Sequence, residues 1–393
     1  MTNMAKFSRS YYLFLIVFLG MLSAFGPFVT DMYLPTLPSM AEIFDTTPSL
    51  VQLGLATSML GLAVGQIFFG PLSDKYGRRR VLISAMLLFA VSTVISIYSP
   101  SIQFFNLCRF LQGLGGAGGI VLSRSISTDC YSGRELAKTL AIIGAVNGIA
   151  PVTAPVIGGL VSESVGWQGI FWILFGIGIV LLGMCLVFEE SLPADKRHHG
   201  SVLSLMFSFP KLLRLKYFRV YVLMFAFANG VLFAYISSAS FIIQNYFGFS
   251  ELVFAVIFGI NALGIGIGSA LSLKFGKMSK AGMFGACGVS AVALMQLACY
   301  LLFDKFIVYE VLTFVMLVFV GYIFTAATTM AMDEGREYVG AASAIFGAAG
   351  FLFGGIVSPL VGIGNIMSTT LIIIAVCSLS ALTFAIMVVR RKL

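Results

Sequence analysis

Gly70-Pro71-Leu72-Ser73-Asp74-Lys75-Tyr76-Gly77-Arg78-Arg79-Arg80 is the stretch that decides the fold. It places four basic residues and one acid between two long apolar runs. Its proline and two glycines predict a tight turn between two helices. A basic loop that only fixed membrane topology would explain Lys75 and the arginines, but not Asp74 or the spacing of the glycines. The turn is therefore a candidate functional element.

The composition around this turn is that of a polytopic membrane protein. Hydrophobic residues make up 59% of the chain and charged residues only 10%, whereas soluble domains carry about 25% charged residues. Continuous apolar runs favour helices over the alternating strands of an outer-membrane barrel. We therefore expect an all-α membrane protein and exclude a soluble fold.

A membrane-spanning helix needs about 20 apolar residues, and by this measure the chain contains twelve spans. The one long, charged connection is 189–216, which predicts an N-terminal six-helix bundle (1–188), a cytoplasmic linker (189–216) and a C-terminal six-helix bundle (217–393). The predicted spans are 11–37, 48–70, 80–98, 101–123, 138–161, 167–188, 217–245, 251–273, 280–302, 306–331, 338–362 and 366–388.

The distribution of basic residues predicts the orientation. With a cytoplasmic N-terminus, all of the 24 lysines and arginines except Lys305 and Arg109 lie on the cytoplasmic side, as the positive-inside rule requires. The net charge of +8 then faces cytoplasm and anionic lipid. We expect a multi-pass protein of a bacterial inner membrane with both termini cytoplasmic, the lipid bilayer as a partner, and no nucleic acid.

The six cysteines are scattered without a CxxC spacing. Most lie in apolar segments, where a thiol behaves as a small hydrophobic group. We therefore expect neither a disulfide nor a metal site.

Two ionisable residues lie deep in predicted spans, where each is a functional candidate by default. Asp31 lies in the first span, and burial favours the neutral form of a carboxyl group, as a proton-coupling site requires. Alternatively, the helix ends near Thr30 and Asp31 is solvated. Glu310 lies near the outer end of its span, and we interpret it as reaching the interface.

Arg109 lies eight residues into the fourth span, about 12 Å at the helical rise. Asp31 has a similar depth, so we hypothesise that the two proton-coupling candidates approach each other, directly or through water or the backbone. Alternatively, Arg109 is a structural clamp bound by carbonyl groups.

Uncharged polar and aromatic residues supply candidates for a substrate-binding cavity. Each could instead join helices to one another or face lipid. The candidates are Phe28, Tyr33, Gln112, Asn147, Asn229, Phe233 and Tyr235.

Two prolines and a glycine pair lie inside the fifth span, at Pro151, Pro155, Gly158 and Gly159. They predict a kink and close contact with a neighbouring helix. Gly264, Gly266 and Gly268 likewise predict a smooth face on the eighth span.

These motifs together resemble the major facilitator superfamily, specifically its proton-dependent drug-efflux branch with twelve spans. Within that branch the chain is similar to the bicyclomycin and chloramphenicol resistance (Bcr/CflA) group. The branch is matched by Gly70, Leu72, Asp74, Gly77, Arg78 and Arg79, by Arg109, Gln112, Gly113 and Gly115, and by Pro155, Gly158 and Gly159, with Ala154 where a glycine is usual. The group is matched by 31–35, 37–38, 167–172, 190–193, 333–334 and 340–343.

The resemblance implies two pseudo-symmetric six-helix bundles around a central cavity, with alternating access and no enzyme activity. It implies a proton/substrate antiporter that exports small amphiphilic, drug-like compounds, uses the proton gradient without a bound cofactor, and is a monomer. The alternatives are a proton-coupled exporter or importer of a natural metabolite, such as an amino acid or siderophore, and a non-transporting membrane sensor.

We interpret the turn at 70–80 as a conformational latch. Its residues are Gly70, Asp74, Gly77, Arg78 and Arg79. We hypothesise that Asp74 accepts hydrogen bonds from helix N-terminal amides of the opposite bundle, which carry partial positive charge. The latch would be closed when the cavity faces outward.

Overall fold

The computed structural model describes residues 9–131, 133–197, 208–302, 305–336 and 339–390. These residues are almost entirely helical, and the helices follow the long apolar runs of the sequence. In chain order they are α1 Arg9–Asp31, α2 Leu37–Ile43, α3 Pro48–Tyr76, α4 Arg78–Ile97, α5 Ile102–Cys130, α6 Gly133–Val187, α7 Ser208–Arg214, α8 Lys216–Ser240, α9 Glu251–Ser272, α10 Met278–Leu302, α11 Phe306–Glu334, α12 Val339–Leu360 and α13 Ile366–Arg390.

Helix α6 is two helices joined at Gly166, whose φ of 62° lies in the left-handed region that glycine tolerates. The predicted fifth and sixth spans meet at this break. A π-helical turn, Phe241–Tyr246, extends α8.

Ten helical segments of the described residues are long and apolar enough to cross a membrane. The ten are fewer than the twelve predicted spans for two reasons. The fifth and sixth spans are joined in one segment, Ile149–Val187, and α5 carries Arg109, Gln112 and five glycines that lower its hydropathy.

Two predicted boundaries differ from the structure. The turn at 70–80 is a single residue, because α3 continues through Pro71 to Tyr76 and only Gly77, with φ of 95°, separates it from α4. The first span ends earlier than predicted, since α1 stops at Asp31 and is followed by a 3₁₀ turn at Leu34–Thr36 and by α2. The prediction missed the end of α3 because Pro71 and the charged residues after it indicated a turn, and it missed the end of α1 because apolar residues continue to Leu37.

The helices form two compact units, one comprising Met1–Tyr33 and Thr57–Met206 and the other Leu34–Ala56 and Phe207–Leu393. Residues 34–56 pack in the second unit although they precede the predicted linker. The sequence-based bundles 1–188 and 217–393 therefore remain a prediction.

In the first unit, α1 and α4 each pack against both α5 and α6. Glycines bring backbones together: a Cβ on Gly113 would strike the carbonyl of Ser58 in α3, and one on Gly115 would lie 2.7 Å from the carbonyl oxygen of Ala85 in α4. Small residues at such positions allow close packing where lipid supplies no hydrophobic drive. This packing fixes the position of the buried polar groups on α5.

In the second unit, α8 packs against α11, α12 and α13, while α10 packs against α11 and α13. Gly264 and Gly268 of α9 face Phe314 and Val318 of α11, as the predicted smooth face requires, but Gly266 faces open space.

The segment 34–56 is tied to later helices of the second unit by three hydrogen bonds. Gln52 donates to the carbonyl of Ser237 at 2.9 Å, Ser49 to that of Pro359 at 2.9 Å, and Gln244 to that of Pro35 at 2.8 Å. Gln52 is fully buried. Side chains far apart in the sequence therefore hold this segment in place.

Candidate functional site

The first unit contains a buried polar network centred on Arg109 of α5. Its Nη2 donates to the carbonyl oxygen of Val29 in α1 at 2.9 Å, and its Nη1 donates to the side-chain oxygen of Gln112. The amide of Gln112 donates in turn to Oγ1 of Thr93 in α4 at 2.7 Å, and Thr93 donates to the carbonyl of Phe89. Arg109, Gln112 and Thr93 are fully buried. The network therefore joins three helices through charge-assisted hydrogen bonds.

Aromatic rings cover the guanidinium of Arg109. Its central carbon lies 4.3 Å from the ring centroid of Tyr33 and 5.6 Å from that of Phe171. Cation–π attraction is strongest where water is excluded, and Tyr33 and Phe171 are both fully buried. The rings thus hold a buried charge without a direct carboxylate partner.

Asp31 ends α1 and is 5% exposed. The helix therefore ends where the solvated alternative placed it, yet the side chain is buried. No ion pair at 4.0 Å or less joins Asp31 to Arg109 in the described residues. Their connection runs through the backbone, because Arg109 binds the carbonyl of Val29 in the same helix.

The prolines and glycines of the fifth span lie in the first half of α6. Pro151 and Pro155 are inside the helix, and Pro155, Gly158 and Gly159 are buried. A Cβ on Gly158 would strike the carbonyl of Met32, the residue after Asp31. The predicted close contact is therefore made with the chain that follows α1.

The basic turn is bound to the end of α5 and to the last turn of α6. Arg78 donates to Oδ2 of Asp129 at 2.9 Å and to the hydroxyl of Ser73 at 2.6 Å, and it forms a 2.5 Å ion pair with Asp74. Arg79 donates to the carbonyls of Cys185 and Leu186. Arg78, rather than Asp74, is the centre of this cluster.

Glu190 caps the start of α4 and was not predicted to belong to the turn. Its two carboxylate oxygens accept from the backbone N–H groups of Arg78 at 2.9 Å and Arg79 at 3.2 Å. A Cβ on Gly77 would lie 2.5 Å from the same carboxylate. A carboxylate at a helix N-terminus satisfies orphan N–H groups and complements the helix dipole. Gly77 is needed both for its positive φ and for this approach.

Asp74 is partly exposed and pairs with Arg78, four residues later in the chain. The backbone N–H groups that donate to a carboxylate here are those of α4, and the carboxylate is that of Glu190. The role of Asp74 as a latch to the opposite bundle stays a prediction. Gly70 accepts a hydrogen bond from Ser73 within α3.

The predicted substrate residues fall into separate surroundings. In the first unit, Tyr33 and Gln112 both contact Arg109, and Phe28 is half-buried two residues before Thr30. The side chain of Asn147 lies outside the described residues.

In the second unit, the amide of Asn229 donates to the carbonyl of Phe225 in its own helix at 3.0 Å, and the ring of Phe233 lies 6.4 Å from that of Phe351. Tyr235 instead faces α9, where its hydroxyl accepts from Asn261 at 2.9 Å. The structure does not gather these three side chains into one contact, so their binding roles stay predictions.

Two residues of these clusters, Thr93 and Asp129, escaped the sequence reasoning, while Phe171 and Glu190 entered it only as parts of the motifs 167–172 and 190–193, without a site role. A threonine in an apolar span carries no distinguishing signal. Asp129 and Glu190 did carry a signal, because each is an acid in a predicted cytoplasmic connection and the turn at 70–80 supplies basic side chains on the same side of the membrane. Among the described residues, no group of histidine, cysteine, aspartate or glutamate side chains has the geometry of a metal site.

Comparison with known sequences places the chain in a family. Residues 13–359 match the Major Facilitator Superfamily. An uncharacterised transporter of that superfamily from Bacillus subtilis, YdgK, is 36% identical over 88% of both chains. A bicyclomycin resistance protein homologue from Haemophilus influenzae is 29% identical over 90% of this chain and 89% of its own. A chloramphenicol resistance protein from Pseudomonas aeruginosa is 32% identical over 59% of this chain and 55% of its own.

Solved structures share the fold. The xylose transporter XylE from E. coli, in a partially occluded inward-open conformation, matches with a TM-score of 0.74 at 14% identity, covering 95% of this chain and 97% of its own. A bacterial homologue of the human lysosomal transporter Spinster matches with a TM-score of 0.72 at 16% identity, covering 98% and 96%. The predicted fold and the similarity to the bicyclomycin and chloramphenicol resistance group are thus confirmed, and this multi-pass membrane protein belongs to the Major Facilitator Superfamily.

Proposed function

We propose that this transporter is a proton/substrate antiporter that exports small amphiphilic, drug-like compounds. The relatives named for resistance to bicyclomycin and chloramphenicol support export of drugs. The proline and glycine motif of α6 resembles that of antiporters. It therefore supports exchange of substrate for protons rather than import of substrate.

The observation that carries proton coupling is the burial of Asp31 at the end of α1. A carboxyl group in such a place is costly to keep charged, so it takes up and releases a proton readily as its surroundings change. Arg109 retains a buried Nε without a hydrogen-bond partner in the described residues. This arginine therefore has a donor to offer when Asp31 is ionised.

In the proposed cycle, substrate binds from the cytoplasm while Asp31 is ionised. Protonation of Asp31 from the outside then weakens its attraction to Arg109 and favours release. The proton gradient supplies the energy, so no bound cofactor is needed.

We place the transporter in the inner membrane of a bacterium with both termini cytoplasmic, since nearly all of its basic residues then face the cytoplasm. Its partners in this proposal are the small-molecule substrate, protons and lipid. We propose that the transporter is a monomer.

The test is transport of chloramphenicol and bicyclomycin by the purified protein in liposomes, with and without an imposed pH gradient. We expect gradient-driven transport by the wild type, and a fall of at least about tenfold in its rate for Asp31→Asn. Exchange of labelled for unlabelled substrate without a gradient should persist in this variant.

The matched control is Asp45→Asn, because Asp45 is an exposed acid between α2 and α3 whose φ of 45° asparagine also tolerates. It should transport like the wild type. Coupled transport by Asp31→Asn at the wild-type rate would remove the role of Asp31. Movement of substrate in the same direction as the protons, rather than in the opposite direction, would identify an importer and overturn the proposed direction.

A further inference from the structure

Thr93 of α4 stands at the end of a hydrogen-bonded chain that begins at Arg109 of α5. Nη1 of Arg109 donates to Oε1 of Gln112, and Nε2 of Gln112 donates to Oγ1 of Thr93 at 2.7 Å. All three side chains are fully buried. Because water is excluded there, each partner in the chain has to be supplied by the protein itself.

The hydroxyl group of Thr93 carries one hydrogen, and α4 itself uses it. Oγ1 donates to the carbonyl oxygen of Phe89, one turn earlier, at 2.7 Å, a bond that threonines inside helices commonly form. With its hydrogen used in this way, the oxygen of Thr93 can only accept from Gln112. Thr93 therefore selects the NH₂ end of the Gln112 amide and excludes its carbonyl end.

The orientation of the Gln112 amide matters for Arg109. A glutamine amide keeps nearly the same shape when its oxygen and nitrogen are exchanged, so its hydrogen-bond partners decide which end points where. Turned round, Gln112 would present donors to a guanidinium that has only donors. Its oxygen would also face Thr93, which would have to give up its bond to Phe89 in order to donate. Both ends of the amide thus favour one orientation.

Close packing of α4 against α5 holds this chain in register. Gly115 lies one turn after Gln112, and a Cβ on Gly115 would lie 2.7 Å from the backbone nitrogen of Phe89. Phe89 in turn lies one turn before Thr93. Because the backbones touch at Gly115 and Phe89, Thr93 and Gln112 are kept within hydrogen-bonding distance. The chain is therefore anchored on the backbone of α4.

The other end of the chain reaches α1. Nη2 of Arg109 donates to the carbonyl oxygen of Val29 at 2.9 Å, two residues before Asp31 in the last turn of α1. A planar guanidinium that binds two acceptors has a fixed orientation. Without the oxygen of Gln112, only the bond to Val29 would be left of this pair, and the guanidinium could turn about it.

We propose that Thr93 is a positioning residue for proton coupling: its hydroxyl anchors the amide of Gln112, which orients the guanidinium of Arg109 toward α1. The effect of Thr93 on Arg109 passes through Gln112. This inference rests on the proposed proton-coupled export and adds to it a residue of α4.

The test compares Thr93→Val with Thr93→Ser in liposomes. Valine keeps the shape of threonine without the hydroxyl, whereas serine keeps the hydroxyl without the methyl group. Thr93→Val should lower gradient-driven transport of chloramphenicol by about tenfold or more, while exchange of labelled for unlabelled substrate without a gradient stays within about twofold. Thr93→Ser should stay within about twofold of the wild type in both assays. Thr93→Ala, a second variant without the hydroxyl, should behave as Thr93→Val does.

The matched control is Ser92→Ala. Ser92 is buried, and its hydroxyl donates to the same carbonyl of Phe89 at 3.0 Å, so this variant should transport like the wild type. If Thr93 only fills space, Thr93→Ser should be the poorer variant and Thr93→Val the better one, which would overturn the proposal. Equal loss of coupled transport and of exchange in Thr93→Val would indicate a general structural role and would also overturn it.

A spectrum that does not depend on transport separates this inference from the proposed function. In protein labelled with ¹⁵N at the glutamine side-chain amides, the signal of Gln112 is identified by its absence from Gln112→Leu. It should shift in Thr93→Val and keep its wild-type position in Thr93→Ser and Ser92→Ala. An unshifted signal in Thr93→Val would overturn the anchoring role, whatever the transport data show. A shifted signal together with no gradient-driven transport by the wild type would count against the antiporter function alone.

Discussion

Arg109 donates the hydrogen bond of its Nη2 to the carbonyl oxygen of Val29, at 2.9 Å, and forms no direct ion pair with Asp31 two residues later. The position of α1 is thereby coupled to the charge on α5 through the backbone. Movement of the chain at Asp31 also moves Val29, since both lie in the last turn of α1. The fork of Arg109, which holds Val29 and Gln112 at once, is therefore the geometry to test.

Arg109→Lys should reduce gradient-driven transport by at least about tenfold. A lysine keeps the positive charge but lacks the planar fork that reaches two acceptors. The matched control, Arg124→Lys, changes an exposed arginine on the same helix and should transport normally. Wild-type transport by Arg109→Lys would show that charge alone suffices at this position.

The sequence predicted the helices well and the clusters less well. Apolar runs fix where helices lie, because a spanning segment must satisfy its backbone internally and expose apolar side chains to lipid. Helix ends were less predictable: Pro71 lies within α3, and the apolar residues after Asp31 continue past the end of α1. In both places, contacts with other helices decide the backbone conformation.

The sequence singles out candidate residues where their chemistry conflicts with lipid, as for Asp31 and Arg109, and both are buried in the structure. Their partners were not predictable, since Thr93 and the carbonyl of Val29 are ordinary features of apolar helices. Only the packing of α1, α4 and α5 brings these groups to Arg109. A single sequence carries no sign of which threonine among many will do so.

Gly158→Ala should destabilise the first unit. A methyl group at this position strikes the carbonyl of Met32, and overpacking against backbone costs about 1–3 kcal/mol. Gly183→Ala and Gly176→Ala are controls in the second half of α6, where nothing lies within 4 Å of the added carbon. They should leave thermal stability unchanged or raise it, because alanine favours the helix.

The measurement for these glycine variants is thermal unfolding of the detergent-solubilised protein, followed by loss of monodispersity. Gly158→Ala should have a lower midpoint than both controls. A midpoint equal to theirs would mean that α6 shifts away from Met32 without cost.

Glu190→Ala should destabilise the first turn of α4. Two backbone N–H groups lose their acceptor, and loss of a helix cap costs about 0.5–2 kcal/mol. Hydrogen–deuterium exchange should accelerate at the amides of Arg78 and Arg79. Glu189→Ala, which removes the neighbouring exposed acid, should leave that exchange unchanged; equal acceleration in both variants would contradict the cap.

Gln52→Leu should loosen residues 34–56 within the second unit. The substitution keeps the volume but leaves the carbonyl of Ser237 without its buried donor, at a cost of about 1–3 kcal/mol. Hydrogen–deuterium exchange of 34–56 should rise relative to the wild type. Gln103→Leu, an exposed position at the start of α5, is the control and should not change it.

Asp74→Asn tests the latch. Asp74 is 42% exposed and pairs with Arg78, an interaction worth about 0.3–0.5 kcal/mol in a helix, so its loss should hardly change thermal stability. Asp129→Asn should be far more damaging, because it removes the charge of a partly buried acceptor of Arg78 at 2.9 Å and leaves the arginine's charge less compensated. Comparing Asp74→Asn with Asp129→Asn therefore distinguishes an effect on conformational change from an effect on stability.

If Asp74 serves as a latch in another conformation, Asp74→Asn should slow gradient-driven transport by about tenfold or more while substrate affinity stays within about twofold. Conformational exchange, followed by the accessibility of single cysteines introduced at the two membrane faces, should shift in the same variant. Lost substrate binding with normal exchange would assign Asp74 to the binding site instead, and unchanged transport would leave the ion pair with Arg78 as its whole role.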